Sequence, residues 1–318
     1  FNTNKKKGTP TSDVLKKVKD DPDNPFGSLI KAGGQSYYID ADGKRQLSLI
    51  NKRAEEGDWG EWADKLPSQF LSKQSLSLVN KQLNLAASDK MAEFDEICSL
   101  TNPTVKKSLL KSFADDCDSA AVHLQAAALP RQKYQVILPI TSMKDNEVYA
   151  PNYKNGETVA LVRYPHGGTF EIPILTVNNK QAEARRILGN TPKDAIGINS
   201  KVAERLSGAD FDGDTVMVIP CNSGKSKITS TPPLKGLEGF DPKLEYGGKP
   251  AGTFKPMKNT QKEMGVISNL ITDMTLKGAT QDELARAVRH SMVVIDAEKH
   301  KLDYKQSEID NGISSLKK

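Results

Sequence analysis

Three aspartates stand at alternate positions in one short segment, Asp210-Phe211-Asp212-Gly213-Asp214. Carboxylates this close repel one another, and they are stable together only when water or a cation neutralises them. Mg²⁺ prefers oxygen ligands and is commonly held by a few carboxylates together with substrate phosphates. The glycine lets the backbone turn tightly between the last two aspartates. The spacing therefore predicts a site for a hard divalent cation, Mg²⁺ or alternatively Mn²⁺.

Two other interpretations of this acidic loop are a calcium loop of the EF-hand kind and a solvated acidic turn. An EF-hand loop beginning at Asp210 needs an acidic ligand at its twelfth position, which is Cys221 here. A solvated turn does not account for the apolar Phe211 inside the cluster, or for the apolar residues 216–219 directly behind it. The metal loop is the interpretation that accounts for both features.

The segments that must position this loop are predicted to be short β-strands. They are rich in β-branched and aromatic residues and are separated by Gly, Asn and Pro turns, with one predicted helix over residues 180–188. Several short strands within one stretch of chain are typical of a small closed barrel, placed here at residues 131–222. The predicted strands are residues 134–140, 147–150, 158–164, 170–177, 195–198 and 215–220.

The remainder of the chain gives an α+β fold class with three further parts. Residues 1–65 are rich in turn-forming residues and are predicted to be an extended arm, with a short strand at residues 37–39. Residues 66–130 form a helical module that is broken at Asn102-Pro103 and ends in an alanine-rich helix over residues 120–129. Residues 223–318 are predicted to be a long loop followed by two helices, at residues 260–276 and 281–298.

Composition excludes several classes of protein. The chain has 318 residues and 37% apolar residues, and it lacks the run of about 20 apolar residues that a membrane span needs. Three cysteines without CxxC pairing indicate neither a disulfide framework nor a structural zinc site. The first residues carry no initiator Met and no signal-peptide pattern. We therefore expect a cytoplasmic chain cut from a longer polypeptide, with no membrane partner.

A net charge of +5 permits nucleic-acid binding through local basic patches without requiring it. The last two predicted helices carry several basic residues that would form a face for a template or product backbone, with solvated surface as the other interpretation. These residues are Lys262, Arg286, Arg289, Lys299 and Lys301.

Three ordered segments resemble one family of enzymes. The segment 209–214 resembles the metal loop of two-barrel RNA polymerases, that is, of the large subunits of multi-subunit RNA polymerases and of the cellular RNA-dependent RNA polymerases. Residues 161–168, Leu-Val-Arg-Tyr-Pro-His-Gly-Gly, resemble the Arg-x-Pro…His-x-Gly element that precedes this loop. Residues 263–270 and 284–296 resemble the helical Gly-x-Ile-x-Asn…Leu-Ala…His-Ser pattern that follows it. The resemblance covers about residues 134–300 and extends to phage-encoded single-chain polymerases.

The resemblance implies a double-psi β-barrel carrying the Asp-Phe-Asp-Gly-Asp loop, in an enzyme that forms RNA phosphodiester bonds. Asp210, Asp212 and Asp214 would hold the catalytic Mg²⁺, and a second Mg²⁺ would arrive with the ribonucleoside triphosphate. Arg163 and His166 would bind substrate, with a surface salt bridge and a structural histidine as their respective alternatives. The implied partners are ribonucleoside triphosphates and a nucleic-acid template and product. A phage or prophage origin places the chain in the host cytoplasm, with the virion as the alternative.

The sequence departs from the family in two ways. Large-subunit polymerases have Asn two positions before the first aspartate, where it helps to read the sugar, and this chain has Gly208. The family also needs a second barrel that supplies lysines to the substrate phosphates, whereas residues 1–133 are predicted to be extended and helical. The second barrel would therefore lie upstream in the same polypeptide or on a partner chain.

Two further functions stay open at this stage. One is a non-catalytic phage structural or nucleic-acid-binding protein that retains the barrel and the acidic loop. The other is a partner-binding fragment whose helices within residues 66–129 dock on another subunit. The sequence also leaves open whether the template is DNA or RNA, whether synthesis is primed, whether the fragment is active alone, and how many copies assemble.

Overall fold

The computed structural model describes residues 37–48, 65–122, 125–127, 129–164, 166–206, 209, 211, 213–221, 227–248, 254–257 and 260–317. The chain divides into two compact units. The first unit comprises Phe1–Lys65, Ala128–Tyr164 and Glu171–Ser230, and the second comprises Leu66–Ala127, Pro165–Phe170 and Thr231–Lys318. Most of the predicted arm lies outside the described residues.

Four short strands form two small two-stranded sheets. The strands β1 (Tyr37–Ile39) and β2 (Arg45–Leu47) pair in antiparallel fashion, which confirms the strand predicted at residues 37–39. The strands β3 (Lys65–Pro67) and β4 (Gln125–Ala127) form the other sheet. The predicted alanine-rich helix over residues 120–129 is therefore wrong at β4, because pairing with β3 overrides the local preference of alanine for helix.

The described residues also form nine α-helices. They are α1 (Leu76–Ser99), α2 (Pro103–Val122), α3 (Ala182–Leu188), α4 (Ser200–Arg205), α5 (Pro242–Tyr246), α6 (Thr260–Lys277), α7 (Gln281–His300), α8 (Tyr304–Asp310) and α9 (Ile313–Leu316). None of the helices in the described part of the chain is long and apolar enough to cross a lipid bilayer.

Six further strands form one mixed sheet in the first unit. They are β5 (Lys133–Pro139), β6 (Glu147–Val148), β7 (Thr158–Val162), β8 (Ile174–Val177), β9 (Ala195–Ile198) and β10 (Thr215–Pro220). All six fall within the predicted strands or one residue beyond them. The strand predicted at residues 170–177 is shorter than expected, because Thr169–Glu171 is a 3₁₀ turn and Pro173 has no N–H for a strand ladder.

The two edges of this sheet meet at Tyr149 and Gly197. The strand order is β6-β8-β7-β10-β5-β9, so β6 and β9 are its edges. Tyr149 directly follows β6, and it exchanges two backbone hydrogen bonds of 2.9 Å with Gly197 of β9. This antiparallel bridge makes the sheet a nearly closed barrel of six strands, as the sequence predicted.

The barrel has an internal two-fold relationship in its strand order. In chain order, the first three barrel strands correspond to the last three: β5 to β8, β6 to β9 and β7 to β10. Exchanging the members of each pair turns the sheet order β6-β8-β7-β10-β5-β9 into the same order read backwards. The directions agree as well, since β5 and β9 are parallel like β6 and β8, and β10 and β5 are antiparallel like β7 and β8. The barrel is therefore built from two topologically equivalent halves, although the sequence shows no internal repeat.

The barrel strands are buried along almost their whole length. In β7, β9 and β10 every residue after the first is buried, and in β9 the first is buried too. A continuous apolar run of β-branched residues suits a strand that is covered on both faces. The core includes the Phe211 ring, which belongs to the acidic loop and not to a strand.

The Gly197→Ala substitution is expected to destabilise the barrel by about 2 kcal/mol, within the range for overpacking a dense core. A Cβ atom at this position would lie 2.5 Å from Ile140 Cγ1 and 3.3 Å from Tyr149 Cβ. Chemical denaturation followed by circular dichroism measures the loss. The matched control is Gly156→Ala, where an added Cβ meets no atom within 4 Å and only the φ of +81° is unfavourable. Equal losses of stability in the two variants would contradict the close approach of Gly197 to Ile140 and Tyr149.

The helices of the second unit begin where the sequence provides caps. Ser75 accepts a hydrogen bond from the Leu78 N–H at the start of α1, and the Asn102 side chain accepts from two N–H groups at the start of α2. Thr280 and Glu283 form a capping box at α7. The break predicted at Asn102-Pro103 is confirmed, whereas the short helices α5, α8 and α9 were not predicted.

Candidate functional site

The acidic loop connects α4 to β10 in the first unit. Ala209 and Phe211 are completely buried in the barrel core, so the loop is anchored on both sides of Asp210 in the sequence. Gly213 has a φ of 118°, a left-handed conformation that glycine adopts far more readily than other residues. Asp210 and Asp212 lie outside the described residues. Their predicted roles as metal ligands stay predictions.

Asp214, the last aspartate of the loop, forms an ion pair with Arg163. The distance between Arg163 Nη2 and Asp214 Oδ2 is 2.9 Å, and the two side chains are only 16% and 22% exposed. The main chain of Asp214 is held independently, because its carbonyl accepts a 3.0 Å hydrogen bond from the Ile137 N–H of β5. Arg163 directly follows β7, the neighbour of β10. Arg163 therefore lies on the same side of the barrel as the end of the acidic loop at Asp214.

Tyr134 lies beside this ion pair, a position that no motif in the sequence indicated. The Thr215 hydroxyl donates a hydrogen bond to the Tyr134 hydroxyl. Burial raises the pKa of Tyr134, the Arg163 charge lowers it, and the Asp214 charge raises it. The phenol therefore lies within electrostatic range of both charged groups. It becomes a candidate member of the site only because β5 pairs with β10.

Gln135 is a second residue that the sequence did not single out. It pairs with Val216 across β5 and β10, two residues after Asp214, and it is only 1% exposed. Neither polar atom of its amide forms a hydrogen bond with any residue that the structure describes. Leaving a buried amide unsatisfied costs about 1 to 3 kcal/mol, so this residue adds nothing to the stability of the barrel through its polar group.

Arg205, the last residue of α4, stands five positions before Asp210. Its Nη2 donates a 2.7 Å hydrogen bond to the Ser230 hydroxyl, which donates in turn to the Ile172 carbonyl at 2.6 Å. Burial lowers the pKa of Arg205, although the group stays charged at neutral pH. α4 itself was missed by the sequence analysis, and the signal for it is Asn199, whose side chain caps the Val202 N–H at 3.0 Å.

His166, the other predicted substrate-binding residue, belongs to the second unit. It is 3% exposed, and burial lowers its pKa to about 3. A histidine with this pKa is neutral at pH 7 and cannot neutralise a phosphate by charge. Its role in substrate binding stays a prediction.

The donor chemistry of the described part of the loop suits a hard cation. Asp214 supplies carboxylate oxygens, and the buried Phe211 and the left-handed Gly213 fix the chain next to it. Within the described residues, no three His, Cys, Asp or Glu side chains are grouped as a metal site. The predicted site depends on Asp210 and Asp212, which lie outside those residues.

The predicted basic face on the C-terminal helices stays a prediction for α7. Arg286 and Lys299 are 13 residues apart, which places them about 140° apart around a helix with about 100° per residue. Arg286 is also engaged within the second unit, with Asp282 at 3.2 Å and the Asn311 carbonyl at 3.1 Å. The Lys301 ammonium lies 4.8 Å from the centre of the Phe254 ring.

No protein-family model and no curated protein sequence matches the chain. A weak structural neighbour is the RNA-dependent RNA polymerase QDE-1 from Thielavia terrestris, with a TM-score of 0.35 and 14% sequence identity. The match covers 63% of this chain and 25% of that polymerase. The matched part of the chain therefore spans about a quarter of the length of that polymerase.

Proposed function

We propose that this chain is the metal-binding, catalytic part of a nucleic-acid polymerase that forms RNA phosphodiester bonds. The observation that carries the proposal is the position of Asp214. Its carboxylate stands at the start of β10, at the end of a loop with three aspartates, and within 2.9 Å of a guanidinium from the neighbouring strand segment. Carboxylates for metal ions and a nearby cation for the substrate are the groups that phosphoryl transfer needs.

The barrel topology supports the same proposal. A nearly closed barrel of six strands, with two equivalent halves in its strand order, is the arrangement expected of the double-psi β-barrel that the sequence motifs imply. We assign the double-psi barrel to residues 131–222 as part of the proposal. The acidic loop would then lie at the mouth of the barrel.

In this mechanism Asp210, Asp212 and Asp214 would hold the catalytic magnesium ion, and a second magnesium ion would arrive with the nucleotide. Magnesium at these carboxylates would lower the pKa of the attacking 3′-hydroxyl and stabilise charge on the transferred phosphoryl group. Arg163 would bind the ribose or a phosphate of the incoming nucleotide, and the proposed role of His166 in substrate binding rests on the sequence motif alone. The chain needs no nucleophile of its own, because the 3′-hydroxyl attacks directly.

Three further parts of the proposal follow from the sequence motifs. The chain is encoded by a phage or prophage and acts in the host cytoplasm or the virion. It acts on ribonucleoside triphosphates and on a nucleic-acid template and product. A second barrel with lysines for the substrate phosphates lies upstream in the same polypeptide or on a partner chain.

A second candidate function is a non-catalytic phage structural or nucleic-acid-binding protein that retains the barrel. One observation favours it: the Arg163 guanidinium lies 2.9 Å from the Asp214 carboxylate and neutralises part of its charge. In that case the acidic loop would be held by protein contacts alone, and metal ions would change neither its structure nor its stability.

Metal-dependent stability separates the two candidates. A ligand that binds only the folded state raises stability by about 2.7 kcal/mol at a hundredfold excess over its Kd. We therefore expect Mn²⁺ to raise the melting temperature of the wild-type chain and to have little effect on Asp212→Asn. Without metal this variant should be no less stable than wild type, because it loses one of three mutually repelling charges.

The matched control is Asp89→Asn, which removes an exposed carboxylate from α1. It should respond to Mn²⁺ as wild type does. Adding a nucleotide and a short primer-template should raise the melting temperature further, and this rise should need all three aspartates. Identical responses of wild type and Asp212→Asn to Mn²⁺ would exclude a metal site in the loop.

A further inference from the structure

The α1–α2 hairpin of the second unit consists of two long helices that bury very little of their own surface. They contain 24 and 20 residues, and residues 100–102 connect them. The buried residues of α1 are Leu78, Gln82 and Ile97, so residues 83–96 include none, and no described side chain of α2 is buried. Helices in proteins owe most of their stability to the packing of an apolar face. Most of this hairpin lacks such packing within its own chain.

The two helices contact each other through a small cluster of side chains. The rings of Phe94 and Phe113 lie 5.7 Å apart, and the Lys90 ammonium lies 5.6 Å from the centre of the Phe113 ring. Near the loop, the Lys106 ammonium donates a hydrogen bond to the Cys98 carbonyl. These contacts hold α1 and α2 side by side in antiparallel directions.

Large apolar side chains remain exposed on both helices of the hairpin. Met91 on α1 is 59% exposed and Val105 on α2 is 46% exposed. The other exposed apolar residues are Leu76, Leu83, Leu85, Phe94, Leu100 and Leu109. Single exposed apolar residues are ordinary, but a group of them on one element marks an interaction surface. The hairpin is therefore a candidate surface for another molecule.

The charges near the loop are divided between the two helices. Residues 89–96 of α1 contain one lysine and four acidic residues, whereas residues 103–111 of α2 contain three lysines and no acidic residue. Acidic groups near the C-terminus of a helix and basic groups near its N-terminus oppose the helix dipole. This distribution therefore does not stabilise either helix alone. It makes the two helices electrostatically complementary to each other.

Some of these charges have no counter-charge within the described part of the chain. Lys107 and Lys111 lie one turn apart on α2 and are exposed, as is Asp95 on α1. None of the three forms an ion pair with any residue that the structure describes. A partner that uses them must present a basic helix to α1 and an acidic helix to α2. A second copy of the hairpin presents both.

We propose that the α1–α2 hairpin is the interface through which two copies of this chain form a homodimer. A two-fold axis parallel to the hairpin arranges the four helices as an antiparallel bundle, with α1 of each copy beside α2 of the other. The acidic residues 89–96 then face the basic residues 106–111 of the second copy, because both segments lie about equally far from the loop. Such an interface is isologous, so association stops at two copies. This inference is independent of the proposed function.

The hairpin is large enough for such an interface. A helix of the length of α2 is about 30 Å long, and two packed helices present a face about 20 Å wide. A face of this size is comparable with the roughly 800 Å² that each partner buries in a stable interface. Burial of the exposed apolar side chains favours association. The separated charges select the second copy as the partner and fix how the helices are paired.

Sedimentation equilibrium of the whole chain tests the proposal through the dissociation constant of the dimer. A reducing agent is present, because Cys98 and Cys117 lie on the same two helices and could form disulfide-linked dimers. The dimer should predominate at about 50 μM wild-type chain. The Leu109→Ser variant removes an exposed apolar side chain from each copy, so its dissociation constant should be at least about tenfold higher.

Charge reversal tests the proposed pairing of the helices. Asp95→Lys with Glu96→Lys makes both helices basic near the loop, and Lys107→Glu with Lys111→Glu makes both acidic. Each double variant alone should be monomeric at the concentration at which wild type dimerises. An equimolar mixture of the two should form heterodimers, because opposite charges again face each other.

The matched control reverses two exposed lysines of the second unit that lie outside the hairpin, Lys235→Glu with Lys255→Glu. It should leave the dissociation constant unchanged. A wild-type chain that stays monomeric at about 100 μM would overturn the proposal and leave the hairpin to a different partner. A wild-type dimer that tolerates Leu109→Ser and both charge reversals would also overturn it, because its interface would lie elsewhere.

Circular dichroism separates a loss of the dimer from a loss of the helices. If a charge-reversed variant loses helix, Leu109→Ser decides the question alone, because its side chain is exposed in the single chain and its removal opens no cavity. A Leu109→Ser chain with wild-type helix content and a wild-type dissociation constant would then exclude the hairpin as the dimer interface.

Discussion

The Asp212→Asn substitution is expected to lower metal-dependent RNA synthesis by at least about a thousandfold. A metal ion contributes several kcal/mol of charge stabilisation to the transition state of phosphoryl transfer, and each 1.36 kcal/mol is a factor of about ten in rate. An amide in place of the carboxylate keeps the shape of the side chain and removes its charge. The folded protein should therefore persist while the reaction is lost.

The measurement is incorporation of labelled ribonucleotides by the full-length polypeptide, with Mg²⁺ or Mn²⁺ and either a DNA or an RNA template. Asp210→Asn and Asp214→Asn should show losses of similar size, because the three carboxylates act as one site. Asp89→Asn, on the exposed surface of α1, should retain the wild-type rate. Retention of synthesis by Asp212→Asn would remove this loop from the reaction.

Acidification from pH 7 to pH 5 is expected to destabilise the second unit by about 4 kcal/mol. Two of its histidines are buried: burial lowers the pKa of His166 to about 3 and is the main cause that lowers the pKa of His290 to about 4. In the unfolded chain both titrate near 6.5. The unfolded state therefore binds more protons than the folded state below about pH 6.5. Stability decreases as the pH is lowered, until the pH reaches the pKa values of the folded state. At pH 5 each histidine contributes about 2 kcal/mol, at 1.36 kcal/mol per pKa unit.

The environment of His290 explains why it stays neutral in the folded chain. Its Nδ1 lies 3.0 Å from the Ser307 hydroxyl of α8, which is completely buried. The nearby Glu308 raises the pKa of His290, while Lys317 and Lys305 lower it. Protonation would place a charge beside this buried contact between α7 and α8, and desolvation of that charge is the larger effect.

Urea denaturation at pH 7 and pH 5 measures this loss. His290→Gln removes one of the two titrating groups, so its loss between the two pH values should be about half that of wild type. The variant is expected to be less stable than wild type at pH 7, where the neutral imidazole packs well. Equal free energies of unfolding at pH 7 and pH 5 for the wild-type chain would contradict the assignment of neutral, buried histidines.

Local patterns in the sequence were sufficient to locate most of the secondary structure. β7, β9 and β10 are continuous apolar runs bounded by turn residues, and such a run indicates a buried strand from its local sequence alone. The break between α1 and α2 follows from Asn102-Pro103, which caps one helix and cannot continue the other. β4 was misread because pairing with β3, far away in the sequence, outweighs the helical preference of alanine.

The features of the candidate site also divide into those set by local sequence and those set by long-range pairing. The three aspartates, with Phe211 and Gly213 between them, indicate a metal loop from residue types and spacing alone, because repulsion and turn geometry are local properties. The pairing of Arg163 with Asp214 and the place of Tyr134 beside them depend on β5 and β7 flanking β10. Register between strands is a long-range property that the residues of one strand do not specify.

By itself, the sequence of this protein determined where most of its strands and helices form, and it predicts which loop carries the chemistry. Only the tertiary structure decided that β6 and β9 meet at Tyr149 and Gly197, and that the barrel consists of two equivalent halves without an internal sequence repeat. It also decided that a guanidinium already occupies the last carboxylate of the loop. The physical reason is that periodicity records the burial of one segment, whereas strand pairing and ion pairing depend on which distant segments the folded core brings together.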